Sequence, residues 1–191
     1  MTPAITATDA LLDRCVDYLA SNGFSDLSLR EIAAGVGTSH RMLIYHFGSR
    51  DGLLAAMVGA MEARQRDALA ELRATDMDPA DVCRAFWRRI SDPSLAPAET
   101  LFFEVYAQAL RGRPWTDGFW ATVIAAWETP LTDLFAEFGF APDDARHRAR
   151  LALATARGLL LDLLMTGDRE TVDAAAELLA PIVAAGSATG S

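Results

Sequence analysis

The segment GTSHRMLIYHFGSR, residues 37–50, gathers His40, Arg41, Tyr45, His46 and Arg50 in one short run. These groups share a chemistry. A guanidinium forks onto phosphate oxygens or a guanine edge, and imidazole and phenol groups meet similar polar edges singly. The setting makes the run conspicuous, because the chain as a whole is acidic, with a formal net charge of −9. Residues 27–50 nevertheless hold Arg30, Arg41 and Arg50 against Glu31 alone. Charges are screened over about 10 Å, so a local positive field survives an acidic total. The same total argues against binding a polyanion by bulk charge. Catalysis is not indicated. The sequence contains no GxSxG, HExxH or P-loop, and Gly35-Val36-Gly37 lacks the later glycine and the preceding strand of a dinucleotide fingerprint. His40 and His46 are six apart and do not share a helix face for a metal, while His147 is remote. No catalytic residue, metal site or cofactor is expected.

The run must be carried by a helix. Ser39 or Thr38 can cap one over about 39–46. With Leu43 turned inward, about 100° per residue brings Phe47 to the same face and turns Arg41 and Tyr45 outward, with Ile44 on the flank. So short a helix is not stable alone and needs a platform. One is provided upstream. Ser28 and Glu31 form a capping box for a helix over about 29–35, whose Leu29, Ile32, Ala33 and Val36 make a buried face. Gly37 suits the tight turn that follows. A longer first helix over about 8–22 carries Leu12, Val16 and Leu19 as its inner stripe, with Leu11, Cys15 and Tyr18 beside it; Phe24 is expected to plug this small core.

Downstream the pattern stays helical, and about nine helices are predicted, an all-α chain without sustained alternation. Helix four runs over about 50–73. Pro130 either kinks a helix over about 116–138 or opens a second one. Helices eight and nine, about 142–166 and 169–184, meet at Gly167, with Asp168 capping the last. The tail beyond 186 is expected to be disordered. No apolar run is long enough to span a bilayer and the N-terminus lacks a basic signal-peptide region, so no membrane partner is expected and the cytoplasm is the expected location. Cys15 and Cys83, outside any CxxC, read as buried free thiols.

Two short helices around a glycine turn on a longer first helix form a helix-turn-helix pattern. The stretch LSLREIAAGVGTSHRMLIYHFGSRDGLL (27–54) further resembles the N-terminal signature of the TetR, or tetracycline-repressor, family of bacterial transcription regulators. Ile32-Ala33, Gly37, Ser39, Leu43, His46-Phe47 and Ser49-Arg50-Asp51 fall in register with it. Thr38, Ile44 and Arg50 stand where the family usually has Val, Tyr and Lys. The resemblance implies a three-helix DNA-binding domain over residues 1–50 and a helical effector-binding and dimerisation domain over 51–186, helix four being the connector and 187–191 a tail. It implies that helix three enters the major groove of double-stranded DNA, with Arg30, Ser39, His40, Arg41, Ile44, Tyr45, His46 and Arg50 as DNA-binding residues.

It further implies a homodimer on a palindromic operator, with half-sites about 34–36 Å apart or a multiple of that. The dimer face is expected on helices eight and nine, at Leu151, Ala152, Thr155, Leu159, Leu163, Leu178 and Ile182. A small apolar or aromatic effector is expected among Phe102, Phe103, Tyr106, Trp120 and Trp127, with Glu104, Tyr106, Gln108 and Glu128 as polar handles. The function implied is a ligand-responsive transcriptional regulator, a repressor released from its operator by the effector. The alternative is a dimeric small-molecule-binding or scaffold protein of the same fold without DNA-binding activity.

Overall fold

The computed structural model describes residues 6–22 and 27–184, with no side-chain placement for Ala20 or beyond residue 179. Phe24, the side chain of Ile182 and the tail therefore lie outside the described residues. Among the described residues nine α-helices follow one another: α1 (Ala7–Asn22), α2 (Leu29–Gly35), α3 (His40–Phe47), α4 (Arg50–Arg73), α5 (Pro79–Ile90), α6 (Ala96–Leu110), α7 (Ala126–Glu137), α8 (Pro142–Thr166) and α9 (Arg169–Ala184). Among the described residues there is no strand, and the all-α expectation holds.

The chain divides into two compact units. The first runs through Ala63 and adds Pro93–Phe119; the second holds Arg64–Asp92 and the chain from Trp120 onward. α4 contributes to both.

In the first unit, α1 opens with a capping box of its own. Thr6 Oγ1 accepts from the Asp9 amide at 3.1 Å, and the Thr6 amide donates to Asp9 Oδ2 at 3.0 Å. α1 packs against α2 and α6 through Leu11, Cys15, Val16 and Leu19, all buried. The inner stripe is thus centred on Leu11, Cys15 and Leu19, and Leu12 is only half-buried. Both α2 and α6 pack on α1, and tertiary packing of this kind selects which of two adjacent apolar rows is covered. α2 begins as its sequence dictates. Ser28 Oγ accepts from the Glu31 amide at 3.3 Å while Glu31 Oε2 accepts from the Ser28 amide at 2.7 Å. Leu29, Ile32, Ala33 and Val36 are buried. The first part of α4 completes this core with Leu53, Leu54, Met57, Val58 and Met61.

The second unit is built on Leu69, Val82, Trp127, Leu131, Leu134, Phe135, Phe140, Ala145 and Ala149, with α8 packed against α7 and α9, and α5 against α9. Trp87 Nε1 donates to Asp173 Oδ1 at 2.8 Å and Arg84 Nε to Glu177 Oε2 at 2.8 Å, tying α5 to α9. Around Pro130 the structure takes the first of the two expected forms, with the proline inside a helix, and does not start a second helix there. A π-helical stretch, Ala121–Ala125, precedes α7, and Pro130 lies inside α7. A widened turn and a proline both disturb the regular carbonyl pairing of a helix. Guanidinium groups supply donors there: Arg66 Nη1 to the Thr122 carbonyl at 3.2 Å, Arg157 Nη2 to the Val123 carbonyl, and Arg73 Nη1 to the Pro130 carbonyl at 3.1 Å.

Candidate nucleic-acid interface

α3 is oriented by one buried side chain and two caps. Leu43 is fully buried beneath it. Ser39 Oγ accepts from the Met42 amide at 3.2 Å, and the turn before it passes through Gly37 at φ +68°, a left-handed conformation that costs glycine little. Gly48, at φ +74°, ends the helix, its amide donating to the Ile44 carbonyl at 2.9 Å. The first turn of a helix leaves amides without intrahelical acceptors; here these belong to His40 and Arg41.

The outward surface of α3 is unusual. His40 and Arg41 are exposed, and so are three large side chains, Met42 at 41%, Ile44 at 39% and Tyr45 at 79%. Leu43 alone is buried on this helix, so its packing leaves most of the surface free for a partner. Arg30 is exposed on α2. Among the described residues, neither Arg30 nor Arg41 enters a hydrogen bond or ion pair. Glu31, the neighbouring acid, is engaged by Ser28, whose side-chain and backbone hydrogen bonds hold its carboxyl below the usual range. The acid next to Arg30 in sequence is thus committed to the helix cap.

Besides the Ser39 cap, two of the site residues expected from the sequence hold partners on other elements. His46 is half-buried, its Nδ1 3.0 Å from Thr8 Oγ1 on α1, and its ring lies edge-on to Tyr45 with centroids 5.0 Å apart. Arg50, also half-buried, donates from Nε to the Leu27 carbonyl at 3.1 Å, bridging the start of α4 to the residue before the α2 cap. Sequence spacing carries no signal for either contact. Two glycines were missed for the same reason. A Cβ at Gly35 would come within 2.2 Å of the Tyr18 ring, and one at Gly52 within 2.1 Å of the Phe47 carbonyl oxygen. Met42 was also missed, although the helical angle already put it on the flank opposite Ile44.

The candidate effector aromatics separate. In the first unit Phe102 packs edge-on against Phe103 and tilted against Tyr106, and both Phe102 and Tyr106 meet Phe119. In the second, Trp127 is buried against Phe86, and Trp120 is exposed. Each unit has a cavity. One of about 650 Å³ lies between the start of α4 and the end of α6, where Glu104 and Gln108 line it with Arg50, Leu54 and Trp115. One of about 250 Å³ lies between α7 and α8, with Trp127, Leu131 and Leu153 as apolar walls and Glu128 and Arg150 as polar ones. Phe102, Phe103, Tyr106 and Trp120 line neither.

On α8, Leu163 is buried and Ala152, Thr155 and Leu159 are half-buried, whereas Leu151 is exposed, as is Leu178 on α9. The exposed row of α8 runs Leu151, Ala154, Gly158, Leu161 and Met165. Its steps alternate three and four residues, the spacing of a helix–helix seam.

Residues 11–57 match the model of the family described as bacterial regulatory proteins, tetR family. No curated protein matches the chain. Among solved structures, a transcriptional regulator from Rhodococcus sp. Rha1 is similar at TM-score 0.72 and 22% identity, covering 93% of this chain and 96% of its own. A TetR transcription regulator from Haloarcula marismortui is similar at TM-score 0.70 and 22% identity, over 93% and 95% of the two chains. A TetR variant from Acinetobacter baumannii, solved in complex with minocycline, is similar at TM-score 0.62 and 18% identity, over 93% of each chain. The fold is that of TetR regulators, and the N-terminal segment carries the family's helix-turn-helix.

Proposed function

We propose, from a chain whose N-terminal segment is that of the tetR family, that this protein is a ligand-responsive, sequence-specific DNA-binding transcriptional regulator. The observation that carries the reading is the outward face of α3, where Arg41 and Tyr45 are exposed and the guanidinium has no partner among the described residues. In this reading Arg30, Ser39, His40, Arg41, Ile44 and Tyr45 meet DNA directly. His46 and Arg50 hold phosphates while also bracing the head. Arg41 reads guanine O6 and N7, a contact worth roughly 1–3 kcal/mol of discrimination.

A single such helix covers too few base pairs, so the operator is a palindrome read by a homodimer. The apolar row on α8 and Leu178 on α9 support a four-helix dimer face. A small apolar or aromatic effector binds within the helical body and shifts the dimer away from the DNA-competent state by no more than its differential affinity for the two states. The protein then acts as a repressor, with α4 as the connector between head and body.

Retention of genomic DNA fragments tests the core of this. Specific fragments are expected to be held at low salt and released as salt rises, and Arg41→Ala is expected to relax selectivity at one base pair of each half-site. Absence of any salt-dependent, sequence-selective retention would refute the regulator reading and favour a scaffold.

A further inference from the structure

The face of α3 is not only cationic. At about 100° per residue, Arg41 and Tyr45 occupy its outward centre, with Ile44 bordering Arg41 on one flank and Met42 bordering Tyr45 on the other. Both flanking side chains are substantially exposed, at 39% and 41%. Neither has a polar atom able to read a hydrogen-bonding base edge or hold a phosphate; the Met42 thioether is only a weak acceptor. A groove-facing helix that presents two aliphatic flanks beside an arginine needs apolar surface on its partner. In the major groove that surface is the C5-methyl group of a pyrimidine, which thymine carries and adenine, guanine and cytosine lack.

We propose that Ile44 and Met42 form an apolar reading site for pyrimidine C5-methyl groups, so that each operator half-site carries a thymine within a base pair or two of the guanine read by Arg41. This rests on the regulator reading above, and it adds a site residue, Met42, and a ligand chemistry. Because 5-methylcytosine presents the same methyl, the site recognises a methyl in a position rather than a base.

The test starts from the DNA that the full-length protein itself selects from genomic fragments. In that DNA each thymine is replaced singly by deoxyuridine, which removes the methyl and keeps every hydrogen-bonding group. Burying one methyl corresponds to about a fourfold change in affinity, and to about fifteenfold when both half-sites are changed. Such losses are expected at one or two thymines per half-site and nowhere else. At those positions 5-methylcytosine is expected to bind more tightly than cytosine by a similar factor. In Ile44→Ala or Met42→Ala, checked by circular dichroism for an intact fold, the thymine–deoxyuridine difference at the matching position is expected to vanish.

Equal affinity for thymine and deoxyuridine duplexes overturns the proposal, as does a difference that persists in both alanine variants. Either result leaves the regulator reading standing. Failure to select any DNA removes the regulator reading, and this site with it.

Discussion

Replacing Gly52 by alanine is a single-methyl change whose cost can be worked from the geometry. The added Cβ would lie 2.1 Å from the carbonyl oxygen of Phe47 and 3.3 Å from its carbon. Because Cβ atoms in folded proteins essentially never come within 3.0 Å of another heavy atom, the end of α3 and the start of α4 must separate by about an ångström. The obstacle is backbone, so no side chain can swing aside. α3 is also held by the fully buried Leu43 and by the Gly48 turn. Overpacking of this kind costs about 1–3 kcal/mol, and the upper half of that range applies. Alanine returns up to about 1 kcal/mol of helix propensity. The net loss is about 1–2 kcal/mol, a fall in Tm of about 2–8 °C for a chain of this size. On the regulator reading proposed above, operator affinity should fall as well, because the displaced element is α3.

Gly35→Ala calibrates the expectation. There the Cβ meets the Tyr18 ring, with Cε2 and Cζ both at 2.2 Å. That is a side chain with somewhere to go, so the loss should be smaller and should disappear in a Tyr18→Ala background. Thermal unfolding of the four variants by circular dichroism decides the matter. A Gly52→Ala protein as stable as the parent, or a Gly35→Ala loss that survives removal of Tyr18, would refute the reasoning.

Other outcomes are open to direct measurement. Glu31 titrates below its reference value of 4.5 because Ser28 bonds to its charged form. A depressed carboxyl contributes stability that is present above the unfolded pKa and lost as pH falls through the folded one. Ser28→Ala should therefore raise the Glu31 pKa towards 4.5 in an NMR titration and flatten the acid limb of the stability profile. Burial pushes both thiols up, Cys15 and Cys83 to about 11, so a thiol reagent at neutral pH should react slowly with the native protein and quickly after unfolding. Leu161→Glu with Met165→Glu puts charges on the exposed row of α8. Analytical ultracentrifugation is expected to show monomer with an unchanged circular dichroism spectrum, and an intact dimer would exclude that row as the subunit face.

Much of this architecture is written locally. α8 and α9 fall where the sequence puts them, because Pro142 opens one, Gly167 closes it at φ +69°, and Asp168 Oδ1 caps the next through the Thr171 amide at 3.1 Å. α2 and α3 were equally legible, since a capping box, a glycine turn and one inward leucine are short-range signals. What escaped is long-range. Whether Leu11 or Leu12 faces in depends on where α6 lands. The partners of His46 and Arg50 lie 38 and 23 residues away. The tightness at Gly35 comes from Tyr18 on α1, seventeen residues earlier, whereas that at Gly52 is set by the sharpness of the turn after Phe47, which residue types alone do not report. On α8 the apolar residues outnumber those one face can bury, so only coordinates tell the covered row from the open one.

The bonds around α3 have a mechanical consequence. Thr8 to His46 fastens α3 to α1, Arg50 to Leu27 fastens the root of α4 to the approach of α2, and Gly52 lets that root press directly on the Phe47 carbonyl. Braced at three places, the head has little freedom to flex within itself. A tilt imposed on the root of α4 would on these contacts carry Arg41 and Tyr45 with it, turning the fingertips without reshaping the hand.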